Sequence, residues 1–515
     1  MRIPRFLLQQ VMLVKAPIWT RGSLLAVALL LALACGGDDV ELTVAAPPVG
    51  LTEFQFDWPQ PNYDYANTRA TFDSAINSTN VDRLVEAWRY PLPPGGGGAA
   101  ATTPIIVDGI VYLGDLSTNV HAIDLATGER LWIADVSSPI LGPGGVAVGA
   151  GKVFGTKSGR AVAAYDARTG EELWSTDIRT SGGSVDIQPV VAGGLVLAAT
   201  SALRDPGARG TLYALDVDTG AIVWSFDTIE SKDLWGHPEI NSGGGAWYPP
   251  AVDLEAGVSY WGTSNPYPFP GVEGFPNGSS RPGDNRWTNS ILAIDLQTGA
   301  LRWGHQAIAH DLFDRDAVIA AIVDLTNGEQ VIVNTGKLGR VIGLDPEGGV
   351  LWDTPVGMHM NDDVESFEGP LVVLPGSLGG VETPIAIADG IVYVTVVNAA
   401  ARYGGPAQNS GGFDVALGSN SSQLVAIDAA TGAIVWDVPI PGDCFGAATV
   451  VNDLVFTSVI TGKILAFHRA TGEQVWSYQA PGGINGWPAV VDDRLVIPVG
   501  FGSPPVLLTL ALETE

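Results

Sequence analysis

The chain has 515 residues, of which 46% are hydrophobic and 16% charged, and it contains 65 glycines and 35 prolines. These proportions are typical of a large globular β-rich protein whose many turns use glycine, and the length is ample for a sizeable core. The net charge of −29 argues against a nucleic-acid-binding function, because such proteins need Lys and Arg to neutralise phosphates.

The N-terminal segment has the pattern of an export signal. Basic residues precede an apolar run at 24–34, and this run is followed by Cys35. It is shorter than the ~20 apolar residues that a membrane-spanning helix needs. Because LALAC resembles a bacterial lipobox, we expect a periplasmic or surface lipoprotein that is anchored through a lipid on Cys35. The alternative is an ordinary secretory signal that is cleaved near a chance cysteine.

We therefore divide the chain into a signal peptide (1–34), a tether (35–56) and a folded domain (57–515). Cys444 is the one cysteine that accompanies Cys35, so the mature chain forms no disulfide within itself. The sequence also lacks the Cys-x-x-Cys-His motif of covalently bound c-type haem.

An internal repeat predicts the fold. The unit NVHAIDLATGERLW, at 119–132, consists of an alternating apolar run, Asp-x-x-Thr-Gly and a second alternating run that ends in Trp. This pattern predicts two antiparallel strands around a tight turn, in which Asp accepts turn N–H groups and Gly supplies a positive φ. Similar units lie at 161–174, 211–224, 290–303, 340–352, 423–436 and 463–476.

A second hairpin precedes each unit, and the two ends of the chain complete an eighth set of strands. DDRLVIPVG near the C-terminus has no Trp unit after it, whereas Trp88 near the N-terminus has no hairpin before it. The sequence therefore predicts an all-β, eight-bladed β-propeller that is closed by strands from both ends. We expect each repeat Trp to pack against the next blade. The long insertions at 225–289 and 353–422 are candidates for functional loops.

Segments outside the repeat resemble those of the pyrroloquinoline quinone (PQQ)-dependent, or quinoprotein, alcohol dehydrogenases, which are eight-bladed β-propellers. The resemblance covers most of residues 57–510. It is carried by 57–88, by GGGAWYPPAVDLEAGVSYWGTSNPYP from Gly243, by HQAIAHDLFDRD from His305 and by NTGKLGRVIGLD from Asn334.

Transferred position by position, the resemblance implies roles for individual residues. Trp247 would form the floor under the planar quinone, and Lys337 would reach the quinone oxygens. Thr156 would contact the carboxylates of the cofactor. Asp314 would be the catalytic base, taking the alcohol proton while hydride passes to the quinone.

The resemblance also implies a metal site. Asn265 and Asp314 match metal ligands, and Asp205 is the nearest acid to the ligand glutamate of the family. Their oxygen atoms suit Ca²⁺, which would polarise the quinone carbonyl as a Lewis acid. Asp316, two residues after Asp314, has the spacing of lanthanide-using relatives, so a trivalent lanthanide is an alternative.

Three departures from the family pattern affect cofactor binding. The adjacent cysteine pair is missing, Gly144 replaces an arginine, and Ala101 replaces a glutamate. Each lost charge-assisted contact is worth about 1.5–3 kcal/mol.

Two classes of function therefore remain open. The first is a PQQ-dependent oxidoreductase that acts on a small alcohol or sugar hydroxyl and passes electrons to a separate acceptor such as a cytochrome c. The second is a non-catalytic propeller lipoprotein that serves as a binding or assembly scaffold in the cell envelope. A dehydrogenase descendant with a vestigial site lies between them. In both non-catalytic cases, Asp314 and Asp316 beside Arg315 would form an ordinary ion-paired surface turn.

Overall fold

The computed structural model describes residues 57–93, 101–140, 142–179, 182–202, 204–409, 417–501 and 503–513. The predicted signal peptide, the predicted lipidation site at Cys35 and the predicted tether lie outside these residues. No helix in the described ranges is both long and apolar enough to cross a membrane.

The described residues form an eight-bladed β-propeller, as the repeat predicts. Each blade is an antiparallel sheet with four strands. The strands of blades 1–4 are Ile105–Val107, Ile110–Gly114, Val120–Asp124, Arg130–Ala134; Val146–Gly149, Lys152–Lys157, Ala161–Asp166, Glu172–Asp177; Val190–Ala192, Leu195–Ala199, Thr211–Asp216, Ile222–Asp227; and Ala251–Asp253, Val258–Gly262, Ser290–Asp295, Leu301–Gln306.

Blades 5–8 follow the same order, with the N-terminal strand completing the last blade. Their strands are Ile319–Asp324, Gln330–Thr335, Arg340–Leu344, Val350–Pro355; Ala386–Ala388, Ile391–Val397, Ser421–Asp428, Ile434–Pro441; Thr449–Val451, Leu454–Ser458, Lys463–His468, Gln474–Gln479; and Ala489–Val491, Arg494–Val499, Val506–Leu512, Leu84–Pro91.

Short elements decorate this ring. The two long insertions contain the small sheets Ser242–Gly243 with Pro266–Tyr267 and Leu371–Val373 with Ala401–Tyr403. Ala70–Thr71 runs parallel to the inner strand of blade 7, and 3-10 turns lie at Val81–Arg83 and Leu234–Gly236.

The ring closes where both ends of the chain meet in blade 8. Leu84–Pro91 pairs antiparallel with Val506–Leu512, with Tyr90 opposite Leu507. The predicted closure by the two chain ends is confirmed.

The repeat tryptophans join neighbouring blades. Trp224 donates its Nε1–H to the carbonyl of Leu296 at 2.9 Å, and its ring covers Gly299. The glycine has a φ of 71°, and a Cβ atom there would lie 2.7 Å from the ring, so a larger residue has no space. The predicted packing of each Trp against the next blade recurs at Trp88, Trp132, Trp174, Trp303, Trp352 and Trp436.

The N-terminal segment closes one end of the propeller axis. Its carbonyls accept hydrogen bonds from inner-strand residues of three successive blades: Tyr65 from Val252, Ala66 from Ile322 and Thr68 from Ile387. The fully buried Arg69 then donates to residues of blades 1, 7 and 8.

Candidate active site

The acidic motif AHDLFDRD forms a turn between blades 4 and 5, and its residues 311–316 are buried. Asp311 is fully buried, and its carboxylate accepts hydrogen bonds from the backbone N–H groups of Phe313 (2.9 Å) and Arg315 (2.7 Å). The Arg315 guanidinium adds a third at 2.9 Å. Although burial raises the pKa of Asp311, the Arg315 charge and these bonds hold it below its ordinary value. The role of Asp311 is therefore to fix the turn.

The turn buries Asp314 and Asp316 while Arg315 pairs elsewhere. Both aspartates are only 2% exposed, and Asp314 has a φ of 62°, in the left-handed region. Arg315 pairs with Asp311 and donates to the carbonyl of Asp362. An ion-paired surface turn, the alternative that the sequence left open, is therefore wrong for this motif.

Lys337 brings the two buried aspartates together. It lies in the turn between the second and third strands of blade 5. Its Nζ atom is 2.9 Å from Oδ2 of Asp316 and 3.3 Å from Oδ2 of Asp314. One ammonium group thus bridges two carboxylates. The carboxylates lie on the segment that leads into blade 5, and the ammonium lies on a turn within that blade.

Trp247 lies beside this ion pair. The Nζ atom of Lys337 is 5.4 Å from the centre of the Trp247 ring, within the range of a cation–π contact. Trp247 packs on Tyr248 with ring centres 4.6 Å apart, and Tyr248 packs on Trp487 at 5.3 Å. The indole is half-buried, so it presents a supported flat surface next to the lysine.

Asn265 joins the same cluster through Asp316. Its backbone N–H donates to Oδ1 of Asp316 at 2.7 Å, and its side-chain amide donates to the carbonyl of Pro266 at 2.9 Å. The second bond fixes the orientation of the amide. The structure therefore brings together Trp247, Asn265, Asp314, Asp316 and Lys337, which are five of the seven predicted site residues.

A third acid, Glu382, completes the cluster and was missed at the sequence level. Its segment is attached to the lysine turn, because the N–H of Val381 donates to the carbonyl of Gly336 at 3.0 Å. The Tyr248 hydroxyl donates to the carbonyl of Glu382. The sequence signal was its position relative to the inner strand of its blade. Glu382 lies five residues before Ile387, just as Trp247 lies five residues before Val252.

Two buried carboxylates thus pair with one ammonium group, and the buried carboxyl group of Glu382 interacts with it electrostatically. Burial raises the pKa of Asp314 and Asp316 although the charge of Lys337 opposes this. Burial, opposed by Lys337 and assisted by Asp316, raises the pKa of Glu382 to about 8. Burial lowers the pKa of Lys337, but the three acids outweigh it and raise that pKa well above its ordinary value. The cluster is short of positive charge and favours a proton or a cation.

The donor chemistry of the cluster suits a hard cation, with one restriction. Carboxylate and amide oxygens are the ligands of Ca²⁺ and similar ions. However, no three His, Cys, Asp or Glu side chains in the described part of the chain are spaced to hold a metal ion. A cation at Asp314 and Asp316 would therefore need further oxygen ligands, which a bound cofactor can supply.

The two remaining predicted residues lie apart from this cluster. Thr156 is buried on the second strand of blade 2, where its hydroxyl donates to the carbonyl of Ile187 at 3.2 Å. Asp205 is exposed on a loop of blade 3, where its carboxylate accepts the N–H of Gly183 at 2.7 Å. Within the described residues, the structure does not bring Asp205 to Asp314.

The loop that contains Gly144 is packed against an acid. Gly144 donates its N–H to the carbonyl of Asp186 at 2.7 Å, and the buried Asp186 carboxylate accepts bonds from the hydroxyls of Ser184 and Ser201. A Cβ atom on Gly142 would collide with Asp186. The resemblance implies an arginine in place of Gly144. In this chain that position lies next to a carboxylate that already accepts two hydrogen bonds from serine hydroxyls.

Comparisons with known proteins agree with the fold. A family model described as the β-propeller domain of glucose/ethanol/alcohol dehydrogenases, with the short name PQQ, matches residues 58–140 and 180–353. The quinohemoprotein alcohol dehydrogenase ADH IIB of Pseudomonas putida is 27% identical over 528 residues, covering 87% of this chain and 73% of the relative. The chain belongs to the PQQ-dependent alcohol dehydrogenase family.

The family includes proteins longer than this chain. A quinohemoprotein alcohol dehydrogenase of Comamonas testosteroni is 29% identical over 347 residues, which cover 61% of this chain and 47%, about half, of that relative. A crystal structure of the protein of that name from the same organism has a TM-score of 0.77 and 24% identity, covering 89% and 81% of the two chains. The structure of a europium-containing methanol dehydrogenase has a TM-score of 0.76 and 22% identity, covering 90% and 99%.

A second family model also matches. It is described as the outer membrane protein assembly factor BamB, and it covers residues 117–242 and 395–500. These ranges contain four of the Asp-x-x-Thr-Gly units, at 119–132, 161–174, 211–224 and 423–436, and the whole of a fifth related unit at 463–476. Because they omit the residues from 243 to 394, this match does not include the Asp314 cluster.

Proposed function

We propose that this protein is a PQQ-dependent dehydrogenase that oxidises the hydroxyl group of a small alcohol or sugar. The observation that carries the proposal is the ammonium of Lys337 bridging Asp314 and Asp316 beside the Trp247 ring. Burying such charges is costly and gives a propeller no folding advantage over apolar residues. Their position next to a flat aromatic surface suits a planar redox cofactor with oxygen acceptors.

Trp247 and Lys337 would hold the quinone end of PQQ. The indole offers a stacking surface of suitable shape, and the ammonium donates hydrogen bonds to oxygen acceptors. Thr156 would contact the carboxylates at the other end. The missing arginine and glutamate lower the expected affinity, because charge-assisted contacts are among the strongest that proteins make. When bound, PQQ supplies the two-electron acceptor.

Asp314, Asp316 and the side chain of Asn265 would hold the metal ion, either Ca²⁺ or a lanthanide, together with oxygens of the cofactor. Asp205 would join them only if its loop moved from the surface. The europium-containing relative supports the inclusion of lanthanides in the test.

Asp314 would accept the proton of the alcohol. Burial raises the pKa of Asp314, which strengthens its carboxylate as a base, although the nearby charge of Lys337 opposes the rise. Arg315 does not neutralise this base, because its guanidinium pairs with Asp311 instead. The turn held by Asp311 therefore orients the base, whose Oδ2 atom accepts a hydrogen bond from Lys337.

The predicted signal and Cys35 support an exported protein, attached to a membrane only through a lipid. Electrons would leave to a separate acceptor such as a cytochrome c. Expressing the full chain and a Cys35→Ser variant tests the anchor. Lipid attachment and membrane recovery of the wild type alone would support it, and a soluble, unmodified wild-type protein would contradict it.

A scaffold function is the second candidate. The match to the BamB model and the replacement of charged cofactor contacts at Ala101 and Gly144 favour it. It requires that the protein bind no quinone.

One experiment separates the two functions. The purified chain is titrated with PQQ in the presence of Ca²⁺, and then of La³⁺, while quinone absorbance and dye reduction with short alcohols are recorded. A dehydrogenase binds PQQ and reduces dye with at least one metal. Failure with both metals would favour the scaffold.

A further inference from the structure

Glu382 has a buried carboxyl oxygen that the fold leaves unsatisfied. The residue is 8% exposed, and its Oε1 atom has no hydrogen-bond partner among the described residues. Leaving a buried polar group unpaired costs about 1–3 kcal/mol. Such a group is expected where a bound molecule completes its hydrogen bonding.

The strand register gives Glu382 and Trp247 equivalent positions in their blades. Ile387 and Val252 each donate a backbone N–H to the N-terminal segment. Glu382 precedes Ile387, and Trp247 precedes Val252, by five residues. The two positions lie close together, because the hydroxyl of Tyr248, next to Trp247, donates to the carbonyl of Glu382.

The surroundings of Glu382 place it within the proposed catalytic centre. Lys337 and Asp316 both interact electrostatically with its carboxyl group. Gly380 packs against the backbone of Lys337, where a Cβ atom would lie 2.5 Å from the lysine carbonyl oxygen. The short link between Gly380 and Glu382 thus holds the carboxyl group near the ammonium that also binds Asp314.

We infer that Glu382 binds a second hydroxyl group of the substrate, so that the site prefers diols or other polyols to simple alcohols. This inference rests on the proposed function. A substrate whose reacting hydroxyl is at Asp314 can offer a further hydroxyl to Oε1, whereas a simple alcohol leaves that oxygen unpaired. A site with a buried group awaiting a hydroxyl discriminates against ligands that lack it.

The test compares the ratio of kcat/KM for 1,2-propanediol to kcat/KM for 1-propanol in PQQ-loaded protein. Glu382→Leu removes the hydrogen-bonding group at similar volume, and Glu382→Gln retains one. We expect the ratio to fall about 10-fold in Glu382→Leu and to stay within about threefold in Glu382→Gln. The matched control is Asp186→Asn, because Asp186 stands five residues before the equivalent inner-strand residue Val191 but is already paired by two serines.

The affinity for PQQ, measured by equilibrium dialysis, distinguishes a substrate contact at Glu382 from a cofactor contact. An unchanged ratio in Glu382→Leu, or an equal fall in Asp186→Asn, would overturn the inference while the proposed function stands. Loss of PQQ binding in both Glu382 variants would make Glu382 a cofactor contact and would also overturn it. If wild-type protein binds no PQQ and oxidises neither alcohol, the proposed function fails and the inference falls with it.

Discussion

The Nζ atom of Lys337 lies 2.9 Å from Oδ2 of Asp316, and both side chains are buried. The same ammonium reaches Asp314, so one positive charge holds two carboxylates that come from a single turn. Lys337 is thus both a structural counter-ion and a cation whose Nζ atom lies 5.4 Å from the centre of the Trp247 ring. We therefore expect substitution of Lys337 to lower the stability of the fold, whatever its effect on catalysis.

Replacing Lys337 with Met is expected to lower the free energy of unfolding by about 3–5 kcal/mol, because buried carboxylates lose their counter-ion. Urea denaturation of the metal-free protein measures this. The control is Lys157→Met, which breaks a surface pair with Glu172 and is expected to cost less than about 1 kcal/mol. Equal effects of the two substitutions would contradict a buried, uncompensated cluster.

Replacing Asp314 with Asn is expected to lower kcat for alcohol oxidation by about 10²- to 10⁴-fold, the usual contribution of a positioned general base. Dye reduction measures kcat, and equilibrium dialysis checks that PQQ still binds. Asp311→Asn serves as a comparison, since that residue acts through the turn. The main effect of Asp311→Asn should be on stability. If Asp314→Asn retained more than a tenth of the wild-type activity, Asp314 would not be the general base.

The architecture could be predicted from the sequence because each blade repeats one local pattern. The contact of Trp224 with Gly299 follows from two residues of that pattern, and the same holds around the ring. Glu382 could not be recognised in the same way, because its importance depends on an electrostatic interaction with Lys337 from another blade. Asp205 is a different case, since the resemblance makes it the nearest acid to a ligand position while it lies on an exposed loop in the structure.

Arg69 is a residue whose burial no local pattern predicts. Six acceptors lie within hydrogen-bonding distance of its five guanidinium N–H groups, and three of these acceptors, on Thr103, Thr449 and Pro488, belong to separate blades. Burial lowers its pKa to about 9. Arg69→Met should lower the free energy of unfolding by roughly 3 kcal/mol or more, because several buried acceptors lose their donor. Arg89→Met, at an exposed site, should change the free energy of unfolding little. Similar losses for the two variants in urea denaturation would show that Arg69 does not join the blades.

Glu382 should make stability depend on pH in the metal-free protein. Its pKa is about 8 in the folded state and 4.5 without the fold, so the folded protein retains a proton that the unfolded chain releases. This contribution is complete below pH 4.5 and is lost as the pH rises towards 8. Glu382→Gln should therefore gain on the order of 4 kcal/mol relative to wild type between pH 5 and 8. Urea denaturation at both pH values measures this change, and parallel curves for the two proteins would contradict it.

Asp316 should control which metal ion the site prefers. With Asp314 and Asp316 both ionised, the site carries two carboxylates against one ammonium, and a trivalent cation gains more from the second carboxylate than Ca²⁺ does. Asp316→Asn should therefore weaken La³⁺ binding at least about 10-fold and Ca²⁺ binding less, as measured by calorimetry in the presence of PQQ. Asp205→Asn is the matched control, since its carboxylate is exposed and bound to Gly183. Because removal of Asp316 also frees Lys337 to pair more closely with Asp314, an equal loss for both cations would mean that this rearrangement, and not ligand charge, governs the affinity.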